Sequence, residues 1–280
     1  MNSKSTRLNR SSQTTRRFRI AVFDSGVGGL TVLRALADLI PNADYVYFGD
    51  TARLPYGSKS RETVAKYTVG AAHFLERQNP DILVIGCNTA SALALYDIKA
   101  AVAIPVIGVV EPGSDRAAEV SRSREAVVIG TAATISTHAY QRALAKRGFA
   151  THEKACPLLV PLVEEGWTDH PVTEQVARIY MAEALRAASA NTDVLVLGCT
   201  HYPLLRELLR RVVPKNIEII DSAESTAHAV AAELGADECS CAGTPIFHFY
   251  VTDSADKFKQ LAPLFLGYPV DEVEHVDLGG

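Results

Sequence analysis

DILVIGCNTASALALYDIKAAVAIPVIGVVEPG (residues 81–113) and TDVLVLGCTHYPLLRELLRRVVPKNIEIIDSAE (residues 192–224) together decide the fold. Each runs from an acidic residue through an apolar strand to Gly-Cys, a Thr-containing turn, a helical stretch, a Pro, a second strand and another acid. Unbroken β-branched runs separated by amphipathic helices mark strands of a parallel sheet covered on both faces. The same rhythm recurs in FRIAVFD, YVYFGD, EAVVIGT and IFHFYV; IAVFDSGVGG and AVVIGTAATI match more loosely, each a strand running into small residues and then a helix. Helices are expected near 30–39, 62–78, 90–102, 134–146, 173–188, 204–213 and 225–234. The chain therefore reads as α/β, two similar doubly wound domains with mainly parallel sheets in a pseudo-symmetric pair. The active site is expected in the interdomain cleft, because ligands of open α/β sheets bind beyond the carboxyl ends of the strands. The expected division is a disordered basic extension over 1–18, a first domain from 19–115 plus 226–280 holding Cys87, and a second over 116–225 holding Cys199.

Composition narrows the class. With 48% hydrophobic and 21% charged residues in 280, the chain is able to bury a substantial core. No apolar run approaches the roughly 18–20 residues of a membrane span, so no membrane partner is expected. The net charge is −4, yet Lys4, Arg7, Arg10, Arg16, Arg17 and Arg19 open the chain without an acid, leaving about −10 on the rest. An acidic body argues against nucleic acid as a partner. The basic arm lacks the apolar middle of a secretion signal; its Arg, Ser and Thr content is similar to a transit peptide, and it is read as a disordered extension. Five cysteines, an odd number, argue against a disulfide framework and for a reducing cytoplasm. Cys239, Cys241 and His248 are poorly spaced for zinc, so no metal is expected.

The two Gly-Cys steps carry the chemistry. In Gly86-Cys87-Asn88-Thr89 and Gly198-Cys199-Thr200-His201, glycine allows close approach of a ligand, and helix-terminal N–H groups are placed to lower a thiol pKa or hold a carboxylate. One such cysteine alone is a small buried hydrophobe. Two at equivalent points of a repeat suit removal of a proton from one face of a carbon and delivery to the other, which needs each thiol to alternate between acid and base. Asp24, at the end of the first strand beside Ser25, is a candidate to orient or deprotonate Cys87. His201 and a carboxylate from Glu164-Glu165 are candidates to do the same for Cys199. Pro55-Tyr56-Gly57, Gly130-Thr131 and Asp221-Ser222 offer hydroxyls and backbone amides for an amino acid's charged groups, or are ordinary turns.

FDSGVGGL, YFGDTARLPYGSKS, CNTASA, GVVEPG, ACPLLVPLVEEGW and LGCTHYPLL, in this order over residues 22–205, resemble the glutamate racemases of the aspartate/glutamate racemase superfamily. The resemblance implies a two-domain enzyme, commonly a homodimer, that interconverts L- and D-glutamate without pyridoxal phosphate or metal and supplies D-glutamate for peptidoglycan. It implies Cys87 and Cys199 as the acid/base pair, Asp24 assisting the first, and Glu164, in preference to Glu165, with His201 assisting the second. Ser25, Tyr56, Gly57, Asn88, Thr89, Thr131 and Thr200 look like substrate-contacting positions, together with Asp24 and His201. Relatives with an N-terminal extension are activated by a muropeptide precursor, which the resemblance extends to the basic arm.

Three other readings compete. A superfamily racemase for aspartate would use the same machinery, since side-chain length is judged by few pocket residues. A non-catalytic binding protein would close on an amino acid between the same halves and need neither cysteine. A Cys-His hydrolase would leave the second cysteine without a task. A pyridoxal enzyme needs a Schiff-base lysine, and none of the strand-end motifs contains one.

Overall fold

The computed structural model describes residues 17–236 and 243–279. Its strands are β1 (Phe18–Asp24), β2 (Ala43–Gly49), β3 (Ile82–Ile85), β4 (Val106–Gly108), β5 (Glu125–Gly130), β6 (Ala150–Ala155), β7 (Val194–Gly198), β8 (Glu218–Asp221), β9 (Ile246–Val251) and β10 (Glu274–His275). They form two sheets ordered β10-β9-β2-β1-β3-β4 and β6-β5-β7-β8, and the strand pairings among the described residues are parallel. The segments β2-β1-β3-β4 and β6-β5-β7-β8 share one topology. β3, which leads to Cys87, and β7, which leads to Cys199, thus hold equivalent places in the two sheets.

The helices are α1 (Leu30–Leu39), α2 (Arg61–Glu76), α3 (Asn88–Ala101), α4 (Val110–Val120), α5 (Ala132–Ser136), α6 (Ala139–Ala145), α7 (Leu159–Glu164), α8 (Pro171–Arg186), α9 (Arg206–Val212), α10 (Ser222–Leu234) and α11 (Ala255–Leu266). Strand side chains alternate between faces, and both faces are buried. In β1, Ile20 and Val22 join a core that continues into the second sheet through Val127, Ile129, Leu195 and Leu197, while Ala21 and Phe23 face the opposite way with Leu83 and Ile85. Ala126, Val128, Val194 and Val196 line the far face of the second sheet. This two-sided burial is why the strands read as unbroken apolar runs.

Several expectations are corrected. Arg17 and Phe18, assigned to the disordered extension, belong to the fold: the Arg17 guanidinium bonds Asp44 at 2.5 Å and the Thr244 carbonyl at 2.8 Å, and Phe18 opens β1. The helix expected over 134–146 is two helices, because His138 adopts a left-handed conformation (φ 53°) between α5 and α6. The strand expected at PVIGVV stops at Gly108, and Val110 already begins α4. The helix expected over 204–213 starts as a 3-10 turn, Tyr202–Leu205, before α9. β6, β10, α4, α7 and α11 were not anticipated. Cys239 and Cys241 lie outside the described residues, as do the first sixteen residues with Lys4, Arg7, Arg10 and Arg16. Among the described residues no helix is long and apolar enough to cross a membrane, and no cluster of His, Cys, Asp and Glu is arranged to hold a metal ion.

Candidate active site

Loops at the carboxyl ends of β1, β3, β5 and β7 meet around a cavity of ≈ 550 Å³. Both Cys87 and Cys199 line it, each 5% exposed. Asp221 and Ser222, offered from the sequence as turn donors, are not on its wall. Eleven of the twelve residues that the resemblance marks for catalysis or substrate contact are: Ser25, Tyr56, Gly57, Cys87, Asn88 and Thr89 from the first sheet's loops, and Thr131, Glu164, Cys199, Thr200 and His201 from the second's. Asp24 is the exception, packed beneath the wall at 1% exposure against Gly29. The sequence reading did not single out Lys257, an exposed cavity residue on α11, or the apolar wall of Pro157, Val160 and Pro161. Lys257 falls outside the quoted motifs, and within ACPLLVPLVEEGW only the two glutamates carried a chemical signal.

Cys87 caps the amino end of α3, its sulfur accepting from Ala90 N at 3.4 Å and lying 3.4 Å from Ser25 Oγ. The expected lowering by helix-terminal N–H groups is outweighed. Burial, reinforced by the negative charge of Asp24, pushes the Cys87 thiol up to about 12 against the hydrogen bonds from Ser25 and Ala90. Burial also raises Asp24 itself, opposed by the Gly26 amide that donates to Oδ2 at 2.8 Å.

Cys199 has a different neighbourhood. It is followed by a turn rather than directly by an α-helix, and its sulfur lies 4.0 Å from His201 Nδ1. His201 Nε2 is 3.1 Å from Glu164 Oε1. Burial works against a charge on the imidazole, yet its contacts with Cys199 and Glu164 prevail and push His201 up to about 10. The same hydrogen bond to His201 lowers Glu164. Glu165 is exposed at the end of α7, and it is Glu164 of the pair that meets His201. Phe265 of α11 packs edge-on against the imidazole at 5.2 Å, and Gly28 lies so close that a Cβ there would fall 2.5 Å from His201 Nδ1 and 2.3 Å from Thr200 Oγ1.

The two halves are tied across the cavity by hydroxyls. Thr89, Thr131 and Thr134 form a triangle with Oγ1 separations of 3.0, 3.2 and 2.9 Å, and Thr31 Oγ1 donates to the Thr200 carbonyl at 3.0 Å. The Tyr56 loop is anchored by Asp50, which is fully buried and accepts from Tyr56 OH at 2.5 Å, Thr252 Oγ1 at 2.8 Å and Arg53 Nη1 at 2.9 Å.

Two parallel-sheet halves with a thiol from each on one cavity define a racemase-type architecture, and comparison with known proteins agrees. Residues 30–230 match the family described as Asp/Glu/Hydantoin racemase, and the chain belongs to that family. It is 58% identical to the glutamate racemase of Koribacter versatilis (strain Ellin345), across 93% of this chain and 98% of that protein. Among solved structures, the glutamate racemase of Francisella tularensis subsp. tularensis SCHU S4 in complex with D-glutamate superposes with a TM-score of 0.84 at 35% identity, covering 94% of this chain and 98% of that one. The Escherichia coli glutamate racemase in complex with L-glutamate and the activator UDP-MurNAc-ala gives 0.77 at 26% identity, covering 95% and 100%.

Proposed function

We propose that this protein is a glutamate racemase that inverts the α-carbon with two thiols and without pyridoxal phosphate or metal. The observation that carries the reading is that Cys87 and Cys199, from equivalent strands of the two halves, line one cavity with room for an amino acid. One cysteine, as thiolate, takes the α-proton and becomes a thiol, leaving the bond's electron pair on the carbon. The other, as thiol, delivers its proton to the opposite face and becomes a thiolate, so the reverse reaction begins with the roles exchanged. Cys87, whose thiol burial and Asp24 push up, is set as donor, and a positively charged ammonium beside it favours its ionisation.

Asp24 backs Cys87 from beneath the wall, while His201, held by Glu164, places a proton beside the Cys199 sulfur. Ser25, Tyr56, Gly57, Asn88, Thr89, Thr131 and Thr200 supply hydroxyls and amides for the substrate's charged groups and for the negative charge that grows as the proton leaves. In this reading the enzyme works in the cytoplasm, as a homodimer, and supplies D-glutamate for peptidoglycan; a muropeptide precursor is the candidate activator. Incubation of L-glutamate with pure protein in deuterated water tests the reaction. The expected result is loss of optical activity with deuterium at the α-carbon, and unchanged L-glutamate free of deuterium would refute it.

A further inference from the structure

Asn88 follows Cys87 and is 2% exposed, and its amide oxygen accepts a 2.6 Å hydrogen bond from the Tyr140 phenol. Its amide nitrogen is buried without a partner. Of the buried side-chain polar atoms in that state among the described residues, it is the one that belongs to a residue lining the cavity. Buried donors are ordinarily satisfied, so one left unpaired just beneath a cavity wall calls for a partner that arrives with the substrate as the wall gives.

Tyr140 is fully buried on α6, in the other half. Its ring presses on the backbone just ahead of the second thiol: a Cβ at Gly198 would sit 3.1 Å from Tyr140 Cε2, and one at Gly113 would sit 3.6 Å from Cε1. Ser222, at the start of α10, stands beside the Tyr140 ring around Gly113, and the Asn88 amide oxygen can only accept. The phenol proton is therefore directed to Asn88. A carboxamide whose oxygen is so engaged keeps its NH2 group on the opposite side.

We propose that Tyr140 is a positioning residue for racemisation: its hydroxyl fixes the Asn88 carboxamide so that the free N–H meets the substrate carboxylate, while its ring seats the Gly198-Cys199 step. One side chain then keeps the two proton-transfer loops, from different halves, in register. The proposal rests on the racemase reading above.

The test is kcat and KM for L-glutamate with wild type, Tyr140→Phe, Asn88→Ala and the double variant, alongside thermal melts. Tyr140→Phe retains the ring and loses only the hydroxyl. The expected result is a loss of about tenfold or more in kcat/KM for each single variant, with a cooperative melt retained, and no further loss when Tyr140→Phe is added to Asn88→Ala. A merely structural tyrosine would multiply its loss onto that of Asn88→Ala, and that outcome, or wild-type kcat/KM in Tyr140→Phe, overturns the proposal. If Tyr140→Phe does not fold, Ser222→Ala loosens the same alignment. It is then expected to lose about threefold only when Asn88 is present, and an equal loss in both backgrounds, or none, overturns the proposal. A wild-type protein that does not racemise glutamate refutes the underlying reading instead.

Discussion

His201 stands between two partners, Glu164 Oε1 at 3.1 Å from one ring nitrogen and the Cys199 sulfur at 4.0 Å from the other. The imidazole is held protonated up to about pH 10, against an ordinary value of 6.5. Stability from this raised group is complete below 6.5, declines as pH rises from there and is gone above about 10. Glu164, being lowered, acts in the other sense: its contribution is present above the ordinary 4.5 and is lost as pH falls through its lower value. Glu164→Gln is therefore expected to flatten the dependence of melting temperature on pH between 6.5 and 10, and to move the alkaline fall in kcat/KM to lower pH. Melts and initial rates over that range check both.

Removal of either thiol is expected to halt inversion. Cys87→Ala and Cys199→Ala should each lower kcat by about 10³-fold or more, measured by polarimetry from either enantiomer. The serine variants are expected to retain traces, because a hydroxyl is a far weaker proton exchanger near neutrality.

Asp24→Asn removes a negative charge from the surroundings of Cys87. Burial remains, so the thiol is expected to move only part of the way down from about 12. The rate of Cys87 alkylation by iodoacetamide at pH 8, followed by peptide mass spectrometry, should rise relative to wild type.

Gly28→Ala tests the close contact between the first-half turn and the Thr200-His201 loop. The added methyl would arrive 2.3 Å from Thr200 Oγ1 and 2.5 Å from His201 Cε1, so both side chains must move. A destabilisation of about 1–3 kcal/mol is expected from overpacking. Displacement of His201 by about 1 Å is expected to cost roughly 100-fold in kcat/KM. Denaturant midpoints and kinetics separate the two effects.

Asp50→Ala should loosen the Tyr56 loop, since three donors lose one buried acceptor. A loss of about 3 kcal/mol in unfolding free energy is expected, with a higher KM for glutamate. Urea denaturation and saturation kinetics are the measurements.

The paired sheets and both thiols were legible because the signals repeat: Gly86-Cys87 and Gly198-Cys199 end strands buried on both faces, where hydrophobic pattern is strongest. β6 was hidden for the converse reason. As an edge strand it reads ATHEKA, and His152, Glu153 and Lys154 are only partly buried. α4 is obscured because Pro112 and Gly113 are poor helix formers, yet Pro112 sits in the first turn, where its missing N–H costs little. Lys257 and Tyr140 fall outside the strand-end loops, and their places at the cavity and behind Asn88 appear only when distant segments are brought together. Even a recognised residue was misjudged in its electrostatics: the helix-end position of Cys87 was plain, but the burial that overrides it belongs to tertiary structure.

The chain leaves the six-stranded sheet after β4, builds the four-stranded sheet, and returns to the first at β9 beside β2. The Cys199 sheet is thus an insertion tethered by two covalent connections. Cleavage of the second connection leaves both thiols on one fragment, whereas cleavage of the first leaves the Cys199 sheet chained only to β9 and β10, which hold to the Cys87 sheet through the pairing of β9 with β2; only a double cut releases the inserted segment.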